Sequence, residues 1–332
     1  MLGKSATLLP AHSSFRNIVL LNLSIAGVLV KHLVSILLGT AALASTSDVI
    51  AQTSYLISKT SYDSSRTKTE VKLCLHDAYA VCSVKWNGKE FIDDFDHGRQ
   101  LQSAFSFDGR GEGYNPTEAG ASYLTDGLNP SPSSSVNDGI VIDSAEQVRT
   151  TTRMAYWNPV NGIKLSNWLV DKRITIMNGI HSAYLDYAVT GRSMSNEPRH
   201  TSANFEFLTG YMPSEFNKFY TLDVKGTRQL SAISACLNID TCSPEQPLPL
   251  IFANAAGTHA MGIYSRELPQ AAYPGAGYGR WNFTTENVVK WNTVYRYNNI
   301  IPLARYSYQG YVVIGTLANV RQQMQWFYDN GQ

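Results

Sequence analysis

The 332 residues include 44% hydrophobic and 11% aromatic side chains, which excludes a disordered chain or a small disulfide-stapled scaffold. Only 16% of the residues are charged, the formal net charge is +1, and lysines and arginines form no run. This balance excludes a general attraction to nucleic acid, so no nucleic-acid partner is predicted.

The first 44 residues resemble a secretion leader. An apolar run from Leu33 to Leu43 follows Lys31, and an Ala-Leu-Ala sequence ends at Ala44, the form of a signal-peptidase site. We therefore predict a signal peptide over residues 1–44 and a secreted or periplasmic mature protein. A retained anchor is the alternative, but Lys31 and His32 interrupt a run that would need about 20 apolar residues to span a bilayer. No stable membrane span is predicted after processing.

Residues 45–332 are expected to form a single β-sandwich domain. Short alternating or β-branched runs are separated by turn residues, with a strong hairpin signal at Asn87-Gly88. Only residues 319–330, near the end of the chain, have a plausible helical pattern. The predicted fold is all-β: a large antiparallel β-sandwich, or super-sandwich, with few short helices.

The four cysteines form two closely spaced pairs, Cys74 with Cys82 and Cys236 with Cys242. In an oxidising compartment each pair could close a short loop as a disulfide. Other connectivities are possible, and metal binding is the alternative role. Neither pair has the spacing of a zinc knuckle, so disulfides are favoured and no metal is predicted.

Residues 94–104, DFDHGRQLQSA, alternate like a strand but carry polar groups. On a strand, His97 and Arg99 would share one face, and an imidazole beside a guanidinium is a usable catalytic pair. The alternative is structural: Arg99 pairs with a nearby acid, and His97 bonds a backbone carbonyl.

The stretch from Asp108 to Asp138 is rich in glycine, proline, serine and asparagine, and is predicted to be a long loop. Loops of this length are usually functional or disordered. Tyr114 and Asn115 are therefore candidates for substrate binding, and Glu118 is a candidate catalytic carboxylate.

In residues 197–207, EPRHTSANFEF, polar and apolar side chains alternate, so a strand here would have one polar face and one apolar face. His200, Asn204 and Glu206 fall on one face of the predicted strand, and Phe205 lies on the other. We predict His200 and Glu206 as catalytic residues and Asn204 as a substrate contact. A solvated sheet face is the alternative interpretation.

Later strands supply further candidates for substrate binding. Lys290 and Arg296 would share one face and could hold acidic sugars, whereas Trp291 on the other face could stack on a sugar ring. His259 is also a candidate, although its alternation with apolar residues favours a place in the core or at its rim.

Residues 80–102, AVCSVKWNGKEFIDDFDHGRQLQ, resemble the start of the galactose mutarotase-like super-sandwich superfamily, which includes sugar epimerases, polysaccharide lyase domains and carbohydrate-binding modules. The resemblance implies a carbohydrate ligand, with Arg99 contacting sugar and His97, His200 and Glu206 as candidates for proton transfer. The epimerases use a late carboxylate that has no counterpart in a matching context here. A plain mutarotase is therefore disfavoured.

These observations predict a secreted carbohydrate-active enzyme without a cofactor. In a lyase, Arg99 or Lys290 would neutralise a uronate carboxylate while a histidine or Tyr114 removes a proton. In a hydrolase, Glu118 and Glu206 would form the carboxylate pair. The alternative from another class is a non-catalytic glycan-binding or surface-interaction protein.

Overall fold

The computed structural model describes residues 54–61, 66–121, 132–158, 162, 164–236 and 243–332. The chain separates into two units, residues 1–49 and 50–332, and all of the described residues belong to the second. The predicted signal peptide and Cys242 lie outside the described residues. The division of the chain into a leader and a single domain therefore stays a prediction.

The described residues form nineteen strands, one α-helix and three short 3-10 turns. The elements are β1 (Ser54–Thr60), β2 (Lys68–Cys74), β3 (Val81–Trp86), β4 (Lys89–Glu90), β5 (Gln102–Phe107), β6 (Pro116–Thr117), β7 (Val136–Ser144), β8 (Gln147–Tyr156), β9 (Leu165–Asn178), β10 (Ala183–Ser193), β11 (His200–Pro213), β12 (Lys218–Leu222), β13 (Leu230–Ile233), β14 (Glu245–Gln246), β15 (Leu250–Ala253), β16 (Ala260–Tyr264), β17 (Tyr278–Phe283), β18 (Val288–Ile300), β19 (Arg305–Gly315) and α1 (Leu317–Asp329). The 3-10 turns are Leu75–Asp77, Glu112–Tyr114 and Ser214–Phe216.

The strands form two antiparallel sheets. The smaller sheet has the order β1-β2-β3-β4, and the larger has the order β13-β12-β15-β16-β19-β10-β9-β8-β6-β5-β11-β18-β17-β14, with β7 paired to β8. Every pairing between these strands is antiparallel. The predicted all-β class is confirmed.

Alternation along the strands builds the core between the two sheets. In β10, Leu185, Tyr187 and Val189 are buried while the residues between them are partly exposed. These three side chains belong to the same apolar cluster as Val71 and Val84 of the smaller sheet. The core is therefore shared by both sheets.

The predicted hairpin and helix are both present. Asn87 and Gly88 have φ values of 51° and 76°, the left-handed conformation that a tight turn between β3 and β4 requires. The hydroxyl of Thr316 caps α1 by accepting a hydrogen bond from the Asn319 amide at 3.3 Å. No helix in the described part of the chain is both long and apolar enough to cross a bilayer.

The predicted strand over residues 94–104 is wrong in its first part, because residues 91–94 have no regular structure, residues 95–100 form bends and turns, and β5 begins at Gln102. The Asp93 carboxylate accepts the Phe95 amide at 3.1 Å, and the Asp96 carboxylate accepts the Gly98 amide at 2.8 Å. Such local bonds compete with a sheet ladder. We refer to residues 91–100 as the acidic loop.

The first cysteine pair is joined as predicted. Cys74 and Cys82 form a disulfide with a Cα separation of 5.8 Å, which closes a loop between β2 and β3. Because Cys242 is not among the described residues, the pairing of Cys236 with Cys242 stays a prediction.

Candidate functional site

A cavity of about 160 Å³ opens on the larger sheet where β5, β11 and β18 meet the acidic loop. The β5 strand pairs with β11, and β11 pairs with β18, so their side chains reach the cavity from three adjacent strands. The lining residues are Gly98, Gln102, Ala104, Phe105, Ser106, Asn115, Thr117, Trp157, Glu206, Thr209, Tyr211 and Lys290.

A β-bulge determines which β11 side chains face the cavity. The register of β11 against β18 shifts between Glu206 and Leu208. Phe207 and Leu208 are consequently both buried, although they are neighbours in sequence. The extra residue changes which positions share a face, so that Thr209 and Tyr211 join Glu206 in lining the cavity.

The principal charged groups of the cavity are Glu206 and Lys290. The Lys290 ammonium lies 3.2 Å from the Glu206 carboxylate, and the two side chains are 16% and 26% exposed respectively. Burial favours the neutral amine, but the charge of Glu206 and the neighbouring Tyr211 outweigh this effect and hold the pKa of Lys290 above its ordinary value. Lys290 therefore remains an ammonium ion at neutral pH.

Aromatic rings surround this ion pair. The Lys290 ammonium lies 5.0 Å from the centre of the Trp281 ring and 5.4 Å from that of Tyr211, within the range of cation–π attraction. Burial is the main reason that the pKa of Tyr211 is raised. Its phenol is therefore protonated at neutral pH and can donate a hydrogen bond.

Trp157 lines the cavity beside the acidic loop and lies directly over Gly98. A Cβ added to Gly98 would lie 2.3 Å from Cη2 of the Trp157 ring, so only glycine leaves room for the indole there. The Trp157 amide donates to the Asn115 carbonyl at 2.8 Å, which holds these two residues together at the cavity.

Three predicted site residues line this cavity, namely Asn115, Glu206 and Lys290. His97, Arg99, His200 and Glu206 were each predicted to contact sugar or transfer protons, and Glu206 alone of these four lines the cavity.

The contacts of His97 and Arg99 match the structural alternative given for these residues, in which His97 bonds a backbone carbonyl and Arg99 pairs with a nearby acid. His97 is 3% exposed, and its Nδ1 lies 2.7 Å from the Ala121 carbonyl oxygen. The guanidinium of Arg99 lies 3.4 Å from the Asp93 carboxylate and 3.8 Å from that of Asp96. Within the described structure, these two side chains hold loops in place instead of lining the cavity.

Glu118 is sealed in the protein interior. Its carboxylate forms an ion pair with Lys172, and the two side chains are 0% and 1% exposed. The Ser103 amide also donates to Glu118, at 3.1 Å. A carboxylate without access to water or to the cavity cannot contact a ligand there, so the role predicted for Glu118 does not fit its position.

His200 is held between two carboxylates. Its Nδ1 lies 2.8 Å from Asp108 and its Nε2 lies 2.7 Å from Glu197, while its ring stacks on Phe107 at 4.4 Å. The hydrogen bond from His200 is the main reason that the pKa of Asp108 is held well below its ordinary value. Both ring nitrogens are engaged and the residue is 6% exposed, so this arrangement supports the fold.

The remaining candidates lie at separate places. Trp291 is completely buried, so its ring offers no surface to a ligand. His259 packs edge-on against Trp86 at 5.5 Å, at the rim of the core. Tyr114 and Asn204 are exposed, and Arg296 pairs with a glutamate of β14; none of these three lines the cavity.

Sequence reasoning named Trp157 as a candidate for glycan binding, and it missed Thr209 and Tyr211. Strict alternation from Glu206 places Thr209 and Tyr211 on the opposite face, and the bulge reverses that placement. The consecutive apolar residues Phe207 and Leu208 were the available signal, because they break the alternation of β11.

No model of a known protein family matches this chain, and no curated protein sequence matches it. Solved structures are similar to it at low sequence identity. A galactose mutarotase-like protein from Lactobacillus casei ATCC 334 has a TM-score of 0.42 and 8% identity, with 78% of this chain and 100% of that chain covered. The GH36 α-galactosidase AgaB from Geobacillus stearothermophilus has a TM-score of 0.43 and 7% identity, with 80% and 42% covered.

A third similar structure is a copper-containing benzylamine oxidase from Hansenula polymorpha, with a TM-score of 0.36, 7% identity, and 78% of this chain and 60% of that chain covered. Galactose mutarotase-like proteins, the group that residues 80–102 resemble, are thus among the structures similar to this chain. Similarities at this level assign no activity, and the functional argument comes from the cavity itself.

Proposed function

We propose that this protein binds carbohydrate, with one sugar unit held in the cavity beside Glu206 and Lys290. The observation that carries the proposal is this ion pair, open to a cavity that Trp157 also lines. A sugar ring has hydroxyl groups that donate and accept hydrogen bonds, and a C–H face that packs on an aromatic ring. Glu206 can accept from a hydroxyl, Lys290 can donate to one, and Trp157 supplies the ring.

The size of the cavity supports a small ligand. Its volume of about 160 Å³ is below the roughly 300–1,000 Å³ of pockets that enclose drug-sized molecules. A single sugar ring at the end or side of a glycan suits this space better than a long segment buried along its length. The same ligand class is implied by the resemblance of residues 80–102.

Binding is favoured over hydrolysis because of the carboxylates. Hydrolysis by a carboxylate pair requires two acids that flank the scissile bond. Among the described residues that line the cavity, Glu206 is the sole acidic one. Glu118, the other member of the predicted pair, is fully buried.

The binding proposal is tested by screening the mature chain on a glycan array and measuring the affinity of each hit by calorimetry. Glu206→Gln and Lys290→Met should each weaken binding at least about tenfold, because each removes a charged partner of the ligand. Glu215→Gln is the matched control, since Glu215 forms an exposed ion pair with Lys89 away from the cavity. Equal affinities for Glu206→Gln and the unmodified protein would contradict the proposal.

A second candidate function is a lyase acting on a uronate polymer, because Lys290, Tyr211 and Glu206 share the cavity. Lys290 would neutralise the uronate carboxylate, Glu206 would take the C5 proton, and Tyr211 would give a proton to the oxygen leaving C4. Unsaturated product absorbs in the near ultraviolet. A lack of such absorbance on every uronate polymer that binds would leave the non-catalytic function.

We also propose that the protein acts outside the cytosol. The Cys74–Cys82 disulfide supports this, because structural disulfides persist in oxidising compartments. Amino-terminal sequencing of protein recovered from the medium or periplasm should begin near Ser45. An unprocessed chain retained in the cytosol would exclude the proposal.

A further inference from the structure

A second polar cluster lies apart from the cavity, where the disulfide-closed loop meets the acidic loop. His76 and Asp77 belong to the 3-10 turn that follows Cys74, and Asp94 comes from the acidic loop. The Nε2 atom of His76 lies 3.1 Å from Oδ2 of Asp77 and 3.6 Å from Oδ2 of Asp94. One imidazole nitrogen thus faces two carboxylates from different parts of the chain.

Asp77 lacks the partners that a buried carboxylate needs. The residue is 1% exposed, and neither of its side-chain oxygens accepts a hydrogen bond within the described structure. Its charged neighbour is the partly exposed His76, whose Nε2 lies 3.1 Å from Oδ2 of Asp77, and His97 is a further nearby imidazole. Burial of a carboxylate with all of its acceptor sites unused costs free energy unless a cation lies within reach.

Asp94 is oriented toward the same point. Nε2 of Gln100 donates to Oδ1 of Asp94 at 2.7 Å and to the Asp96 carbonyl at 2.7 Å, so Oδ2 of Asp94 is left to face His76. Hydrogen bonds of this kind commonly orient metal-binding carboxylates. The side chains of His76 and Asp94 are 41% and 30% exposed, which gives an ion a route from solvent.

We propose that His76, Asp77 and Asp94 bind a divalent transition-metal ion, with Zn²⁺ as the best match. Zinc bonds of about 2.0–2.2 Å place neighbouring ligand atoms of a tetrahedral ion roughly 3.4 Å apart. The separations of 3.1 and 3.6 Å lie on either side of that value. One nitrogen and two carboxylates favour such an ion over Ca²⁺ or Mg²⁺, which prefer all-oxygen sites.

The disulfide limits the ligand set. Sγ of Cys74 lies within the same cluster, but its bond to Cys82 removes the thiolate that a metal would require. Three protein ligands therefore remain, and the fourth position is left for water. The ion would neutralise Asp77 and tie the disulfide-closed loop to the acidic loop, which carries Gly98 to the edge of the sugar cavity. Its expected role is to stabilise the fold.

The test uses the whole mature chain with its disulfide intact, stripped with EDTA and dialysed against Zn²⁺, Mn²⁺ or Ca²⁺. One Zn²⁺ per chain should bind, measured by elemental analysis and calorimetry, and the thermal unfolding midpoint should rise with Zn²⁺ concentration. Asp94→Asn and His76→Gln should each weaken Zn²⁺ binding at least about tenfold. Both side chains are partly exposed, so these variants keep the test valid if Asp77→Asn does not fold.

The matched controls carry the same substitutions at exposed sites outside the cluster, His181→Gln and Asp143→Asn, and should bind Zn²⁺ like the unmodified chain. The proposal is overturned if Zn²⁺ does not saturate at one per chain. It is equally overturned if Asp94→Asn and His76→Gln bind Zn²⁺ unchanged, or if Ca²⁺ binds more tightly than Zn²⁺. None of these readouts depends on carbohydrate binding.

Discussion

Two ion pairs of the same chemical type, each formed by a glutamate and a lysine, have opposite surroundings in this protein. Glu118 and Lys172 are 0% and 1% exposed, whereas Glu206 and Lys290 are 26% and 16% exposed and line a cavity. In the first pair, each charge depends on the other because water cannot reach either. In the second, a ligand can replace water at both groups. Access to solvent, more than residue type, therefore separates an ion pair that can only be structural from one that is available to a ligand.

The largest expected effect on stability is at the buried Glu118–Lys172 pair. Glu118→Gln should lower the free energy of unfolding by about 3–5 kcal/mol, because it leaves the buried Lys172 without its counter-charge. Chemical denaturation measures this change. The double variant Glu118→Leu/Lys172→Met is the control and should recover most of the loss, since it removes both charges. A loss below about 1 kcal/mol for Glu118→Gln would show that water reaches this pair after all.

The ion pair between Asp108 and His200 extends the comparison to the pH dependence of stability. Asp108→Asn should lower the free energy of unfolding by about 1.5–3 kcal/mol at neutral pH, because His200 loses a charged acceptor. The pKa of Asp108 is lowered in the folded protein, so its contribution is present above an unfolded pKa of about 3.9 and is lost as the pH falls toward the folded value.

The stability difference between Asp108→Asn and the unmodified protein should therefore hold from neutral pH down to about 4 and shrink as the pH falls further below that value. Denaturation curves over that range give the measurement. A difference that stays constant, or widens in acid, would show that Asp108 acts through something other than its charge.

Gly98→Ala tests the contribution of Trp157 to the cavity that Glu206 and Lys290 line. The new Cβ would meet the Trp157 ring at 2.3 Å, so we expect overpacking to cost about 1–3 kcal/mol in unfolding free energy. Displacement of the indole should also weaken sugar binding and alter tryptophan fluorescence. Gly88→Ala is a control for added bulk, since no atom lies within 4 Å of the site of its new Cβ, although its positive φ adds local strain. Unchanged sugar affinity in Gly98→Ala would remove Trp157 from the binding site.

The smallest expected effect on stability is at the Glu206–Lys290 pair, which lines the cavity. Glu206→Gln should change the free energy of unfolding by less than about 1 kcal/mol, because both side chains are partly exposed. Calorimetry on the same variant should nevertheless show the loss of sugar affinity. A large loss of stability in this variant would make the Glu206–Lys290 pair structural, like the Glu118–Lys172 pair, and would remove the contrast between the two regions.

Much of the fold could be predicted because its signals are local. The period-two pattern of β10, the Asn87-Gly88 turn and the spacing of Cys74 and Cys82 depend on residues close together in the chain. The site was harder to predict, and Glu206 was identified without its bulge-dependent neighbours. For His97 and Arg99, the local carboxylates that form turns prevailed over the alternating pattern.

By itself, then, the sequence determined the all-β class, the hairpin, the terminal helix and the first disulfide, since each follows from the conformational preferences of neighbouring residues. Tertiary structure alone decided which charged groups are sealed and which meet water. Glu118 and Lys172 are 54 positions apart, and the partner of Glu206 comes from a different strand, β18. The cost of desolvating a charge depends on everything packed around it, and that packing exists only once distant strands have paired.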